Sequence, residues 1–228
     1  MWFDPTYIFY VMIPGLLLTL WAQAKLRAAY ARGKEYRASS GLTGAETAQR
    51  ILDIHHISDV AIERAESFLG DHYDARSKVL RLSPEVYEGD SLTSVGIAAH
   101  EVGHAIQHAE AYAPLGLRNT LVPLAMTGTN LSWICIFLGL AIQSFHWLAM
   151  VGVLLFSLFV LFELVTLPVE FDASRRARAI LVGNHLVTAD EDRIVGKVLS
   201  AAAMSYVAAT LTAILQLLYY ISLVSRRR

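Results

Sequence analysis

The chain has a single cysteine, Cys135, in 228 residues, so no disulfide can form within it. It has no surplus of basic charge either, with 19 Lys and Arg against 20 Asp and Glu and a net charge of −1. A nucleic-acid binder needs such a surplus to neutralise phosphates, and that class is excluded. Charge is missing altogether from three long stretches: Pro5 to Ala24, Asn119 to Phe162 and Val198 to Val224. What fills them is apolar. Hydrophobic residues make up 55% of the chain and its mean hydropathy is +0.44, too high for a soluble domain of this length, so the bilayer is the expected solvent.

Pro5 to Ala24 is about long enough to cross a hydrocarbon core of ~30 Å. Asp4 precedes the run, and Trp2, Tyr7 and Trp21 flank it like interfacial aromatics. These features predict an uncleaved membrane helix rather than a signal peptide. Lys25, Arg27, Arg32, Lys34 and Arg37 follow, and the positive-inside rule places the segment they open in the cytoplasm. Asn119 to Phe162 has room for one span and most of a second, with the break expected at Gln143-Ser144-Phe145-His146 and Trp147 anchoring the next helix. That second span is expected to end at Leu167-Pro168, where a further helix resumes. Val198 to Val224 is the fourth span. The tail Arg226-Arg227-Arg228 would by the same rule also be cytoplasmic, which four crossings do not allow; the larger basic counts beside the first and third spans set the orientation. Glu163, ionisable inside an apolar run, is a functional suspect by default.

Between the first two spans the sequence reads as a small α+β portion. Thr43 with Glu46 makes a capping box for a helix to about His55. Val60 to Glu66 and Lys78 to Leu82 show partial alternation and are expected to form a small hairpin or pair of strands, separated by Gly70-Asp71-His72-Tyr73-Asp74. Such a strand could hold an extended substrate by main-chain pairing, or could simply cap the fold. Ser83-Pro84 starts a short helix, and Ser91 or Thr93 opens a longer one running to about Ala111 before Pro114. Thr188 with Glu191 caps another.

The longer helix carries His100-Glu101-Val102-Gly103-His104. At 3.6 residues per turn the two imidazoles share a face one turn apart and can share one metal ion. Zn²⁺ suits neutral imidazole nitrogens, and a catalytic site needs only three protein ligands, leaving the fourth position for water. Glu101 is placed to take a proton from that water and hand it to a leaving amine. This is the HExxH pattern of metallopeptidases. An ordinary core helix would be an expensive place to bury three ionisable groups without partners. His108 continues the stripe, but one more turn puts it ~6 Å further along the axis, so it is read as structural or as supporting a ligand rather than as one.

His100 to His108, together with Ser40-Gly41-Leu42-Thr43-Gly44-Ala45, Asp71-His72-Tyr73-Asp74 and Pro168 to Ala177, resembles the YugP-type neutral zinc metallopeptidases of bacterial membranes, over nearly the whole chain. The resemblance implies a membrane-embedded zinc endopeptidase. Membrane zinc peptidases of the gluzincin kind complete the metal site with a carboxylate in a Glu-x-x-Ala-Asp motif after a transmembrane hairpin. Glu170 falls on the Glu and Ala173 on the Ala, while Ser174 stands where the pattern has Asp. Glu170 is therefore the expected third ligand, with Asp172 the alternative; the bland reading of both is a helix start favoured by the dipole.

The expectation is a mainly α, polytopic membrane protein with about four transmembrane helices and a small α+β zincin-like cytoplasmic portion. It is read as one domain over 1–228: spans at 5–24, 119–142, 147–167 and 198–224, a catalytic portion at 25–118 and a third-ligand segment at 168–197. Glu101 is the expected catalytic residue, His100, His104 and Glu170 the metal ligands and Zn²⁺ the cofactor. His72, Tyr73 and Tyr112 are candidate oxyanion donors. Arg175, Arg176 and Arg178 are cationic residues at a membrane end, one of which could clamp a carboxylate. The expected partners are the bilayer and membrane-associated protein or peptide substrates, with the active site on the cytoplasmic side of the cell membrane. A catalytically inactive membrane adaptor or chaperone-like scaffold is one alternative, and a small transporter using Glu163 the other.

Overall fold

The computed structural model describes residues 4–66 and 70–226. Trp2, Arg227 and Arg228, invoked above for topology, lie outside the described residues. The chain is mainly helical, with one small sheet, and four helices are long and apolar enough to cross a membrane: Pro5–Lys34, Ala113–Ala141, Gln143–Gly183 and Ala189–Ser225. At 1.5 Å per residue each exceeds the ~30 Å of a hydrocarbon core.

Contacts divide the chain into two compact units. One comprises the chain up to Ala22, residues 116–168, and the chain from Ser205 on. Its buried cluster is Val11, Ile136, Phe156, Val160, Ala213, Tyr219 and Tyr220, while Leu16, Leu17, Met126, Phe137 and Leu154 stay exposed. An apolar surface of this kind is stable in lipid, where the hydrophobic effect asks nothing of it. Close backbone approach does the packing: a side chain at Gly139 would put its Cβ 2.3 Å from the Ala149 nitrogen, and one at Gly152 would sit 2.8 Å from the Ser132 carbonyl oxygen. Glu163 is half-buried in this unit and feels the charge of Arg118.

The other unit comprises residues 23–115 and 169–204. Helix Gly44–Ile54 opens on the expected capping box: the Thr43 hydroxyl accepts from the Glu46 N–H at 3.2 Å, and the Glu46 carboxylate accepts from the Thr43 N–H at 2.8 Å. Its apolar face, with Ala48, Ile51 and Leu52, packs into a core shared by Leu80 and Leu82 of the sheet, by Val95, Ala99 and Val102 of helix Leu92–Ala109, and by Ala177, Leu181, Val195 and Leu199.

The sheet keeps the expected pair of strands and corrects the alternative of a hairpin. It has three strands, β1 (Ala61–Arg64), β2 (His72–Asp74) and β3 (Val79–Leu82), in the order β1-β3-β2. β1 and β3 run parallel, Ala61 opposite Val79, and so cannot be joined by a tight turn. The antiparallel partner of β3 is β2, three residues inside what reads as the connection, with Tyr73 opposite Leu80. Lys78 takes the positive φ of 53° that their turn needs.

The Ser91 hydroxyl caps the helix Leu92–Ala109 by accepting from the Ser94 N–H at 3.1 Å, and Ala111 leaves it with φ of 52°. Pro114 therefore sits in the first turn of the next helix, where a missing N–H costs nothing. Pro168 likewise ends nothing. Helix His146–Gly183 runs through it, and the hydroxyl of nearby Thr166 bonds the Phe162 carbonyl at 2.8 Å. Helix Ala189–Ser225 opens on the expected second capping box, with Thr188 and Glu191 exchanging bonds of 2.7 and 3.2 Å, and continues unbroken past residue 198.

Candidate metal centre

His100, Glu101 and His104 lie on helix Leu92–Ala109, and Glu170 lies on helix His146–Gly183, 66 residues beyond His104 in sequence. They meet because the two helices come unusually close. A Cβ added at Gly103 would fall 2.8 Å from the Ala173 carbonyl oxygen and 3.2 Å from its Cα, so only glycine fits opposite this alanine. Glu170 Oε2 consequently stands 3.3 Å from His100 Nε2 and 3.6 Å from His104 Nε2. Each of the three residues offers a ligand atom within 4.8 Å of the others, the only such group of three or more among the described residues.

The two carboxylate–imidazole distances fit a tetrahedral ion. Bonds of about 2.0–2.1 Å at tetrahedral angles separate two ligand atoms by roughly 3.3–3.4 Å, and a shared proton alone would favour one short contact over two longer ones. The rings are held to suit. His104 Nδ1 lies 3.0 Å from Gln107 Oε1, an acceptor, so Nδ1 carries the proton and Nε2 keeps its lone pair for the metal. His100 Nδ1 lies 3.1 Å from the Ser174 hydroxyl, which can serve either as acceptor or as donor there. Ser174, which stands in sequence where the expected motif has Asp, thus meets His100 with a hydroxyl in place of a carboxylate.

Burial opposes charge on His104, yet the bond to Glu170, reinforced by the charges of Glu101 and Glu170, outweighs it and raises the pKa above the usual 6.5. A proton and a cation would therefore compete for the same imidazole–carboxylate pair. Glu101 is buried beside the ligands, and its Oε2 accepts the main-chain N–H of Tyr73 at 3.1 Å. The edge strand β2 is thereby tied to the helix.

The other expected residues lie elsewhere. Asp172, the alternative ligand, faces away from the imidazoles; it accepts from Gln107 Nε2 at 3.0 Å and pairs with Arg175 and Arg176. His108 Nδ1 bonds the Tyr73 hydroxyl at 2.9 Å and is not among the three that converge. His72 is exposed, with Nδ1 near the Gly70 carbonyl, and the Tyr112 ring lies 5.7 Å from the Arg176 guanidinium. Arg176 also reaches Glu110 at 2.6 Å, and Arg178 pairs with Asp192.

Two contributors escaped the sequence reading. Gln107 is fully buried and, besides His104, donates Nε2 to the Val169 carbonyl at 2.9 Å, joining the two helices one residue from Glu170. Its position three residues after His104, on the same face, is the signal that could have found it. Gly103 could have been found only by knowing which helix lies opposite.

Comparison with known proteins points to a family. The protein of Bacillus subtilis (strain 168) named "Putative membrane protease YugP" is 42% identical over 212 residues, covering 93% of this chain and 94% of that relative. No solved structure matches the chain. The family described as "Putative neutral zinc metallopeptidase" matches residues 8–225, and the chain belongs to that family.

Proposed function

We propose that the chain is a zinc-dependent endopeptidase that cleaves membrane or membrane-proximal proteins, with His100, His104 and Glu170 as ligands and Glu101 as general base. The observation that carries this reading is the approach of Glu170 Oε2 to within 3.3 and 3.6 Å of the two imidazole Nε2 atoms. Zinc held there would acidify a bound water and polarise the scissile carbonyl.

The remaining chemistry belongs to the protein. Glu101 Oε2 is occupied by the Tyr73 N–H, which steadies the carboxylate and leaves Oε1 to take the proton of the attacking water and deliver it to the departing amine. Gln107 Oε1 keeps the Nδ1 of His104 protonated through the cycle, and the Ser174 hydroxyl can accept from that of His100 once its Nε2 is bound. Four apolar helices put such a site on a membrane protein. Substrates are then membrane proteins or their exposed segments, the membrane is the cell membrane, and the basic residues after Ala24 orient the site to the cytoplasm.

The test uses purified full-length protein, an unfolded reporter protein and a chelator control. Glu101→Gln should keep about one zinc per chain and lose cleavage by about a hundredfold or more, the usual weight of a general base. Undiminished cleavage by this variant would overturn the role of Glu101. A wild-type preparation that binds no zinc would overturn the enzyme reading itself.

A further inference from the structure

We infer that a basic cavity bounded by the first, third and fourth long helices binds the phosphate headgroup of an anionic phospholipid. The cavity, of about 720 Å³, lies wholly within the unit of residues 23–115 and 169–204. Lys25 enters it from helix Pro5–Lys34, Arg178 from helix His146–Gly183, and Arg193 and Lys197 from helix Ala189–Ser225, with no carboxylate in the lining.

Asp192 meets Arg178 through paired bonds of 2.9 and 2.6 Å, and Asp190 meets Arg193 at 3.2 Å. Exposed Lys197 has no ion-pair partner among the described residues. The bonds to Asp192 use Arg178 Nε and Nη2, so Nη1 takes no part in them. A Cβ at Gly196 would lie 2.8 Å from the Arg178 Cζ, so the glycine lets the guanidinium lie flat against the fourth helix. The cation is thus positioned before any ligand arrives.

The positive-inside rule accounts for basic residues near a span but not for charges from three helices lining one hollow. Arg27 and Arg32 follow the same span and line no part of this cavity. Its place along the chain also fits a headgroup. Lys25 follows directly on the uncharged stretch ending at Ala24, and Ser200, Ala201 and Met204 lie in the uncharged stretch from Val198.

A neighbouring hollow of about 620 Å³ shares Arg178, Ser200 and Met204; its polar side carries Ser174, Arg175 and Asp192, and the rest is apolar, with Phe171, Val182 and Leu199. An acyl chain beside a headgroup would use that second hollow, whereas a free phosphate ion would not.

Native mass spectrometry of the full chain, released from micelles containing phosphatidylglycerol or phosphatidylcholine, tests this without reference to zinc or cleavage. Phosphatidylglycerol should be retained in preference by about tenfold, and Lys25→Gln with Lys197→Gln should weaken its retention by on the order of tenfold. Lys25→Arg with Lys197→Arg should keep it, and the matched pair Arg27→Gln with Arg32→Gln should change it less than about twofold. Circular dichroism checks that each variant stays folded. Equal weakening by the two Gln pairs would reduce the effect to general surface charge and overturn the inference. So would equal retention of phosphatidylcholine, or displacement of the lipid by millimolar inorganic phosphate.

Discussion

The two imidazoles of the candidate metal centre sit one turn apart on one helix, yet their surroundings differ in kind. His104 is buried and leans on Gln107, which is itself tied to the Val169 carbonyl and to Asp172, while Asp172 is bound by Arg176, and Arg176 by Glu110 at the end of the same helix. His100 is less enclosed and has one hydroxyl, that of Ser174. One imidazole belongs through its Nδ1 to a network that spans two helices; the Nδ1 of the other meets a single hydroxyl. Robustness in such a site is therefore unequal between chemically identical ligands, because the cost of losing a partner grows with the number of buried groups left unpaired.

The comparison collapses if the helices separate. Gly103→Val would force its Cβ into the Ala173 backbone, which cannot turn aside as a side chain can. We predict loss of stoichiometric zinc and about 1–3 kcal/mol of stability, read by elemental analysis and denaturant unfolding. A variant that keeps its zinc would show that the close approach is dispensable.

Next in size is Gln107→Leu, which removes three bonds in the buried region and should weaken zinc binding by about 10–100-fold in a chelator competition. Ser174→Ala removes one bond and should weaken it by no more than about tenfold, while Ser174→Asp should restore or tighten it, since a charged acceptor bonds roughly twice as strongly as a neutral one. Equal losses for Gln107→Leu and Ser174→Ala would erase the asymmetry.

The mildest intervention changes only pH. The folded-state pKa of His104 lies above its ordinary 6.5, so the stabilising pair with Glu170 is fully present below that value. It is lost as pH rises through the raised pKa. Chelated protein should accordingly lose thermal stability as pH climbs beyond about 6.5, and zinc affinity should rise over the same interval as the competing proton leaves. His104→Ala should flatten the stability trend in chelated protein; an unchanged slope would refute its assignment to this histidine.

Much of the site is legible in the sequence because helical spacing is a local property. His100, Glu101 and His104 can be placed on one helix without knowing anything else, and Thr43 with Glu46 or Thr188 with Glu191 need only three residues to declare a helix start. Glu170 became legible through a motif on a second helix. What stayed hidden depends on partners far away in sequence. β1 and β3 are parallel, a pairing that strand periodicity cannot distinguish from a hairpin, and β2 is too short to show any alternation. Pro168 looks like a stop because proline removes an intrahelical bond, but a helix held by its surroundings absorbs that loss. Gly103 looks like one more small residue until Ala173 is set against it.

β2 is an edge strand, and the N–H of Tyr73 on its outer side is given to Glu101. One N–H cannot serve two acceptors fully at once. Any extended peptide that adds to this edge at Tyr73 must take the bond away from the carboxylate, so the arrival of a main chain would itself loosen the group proposed to act on it.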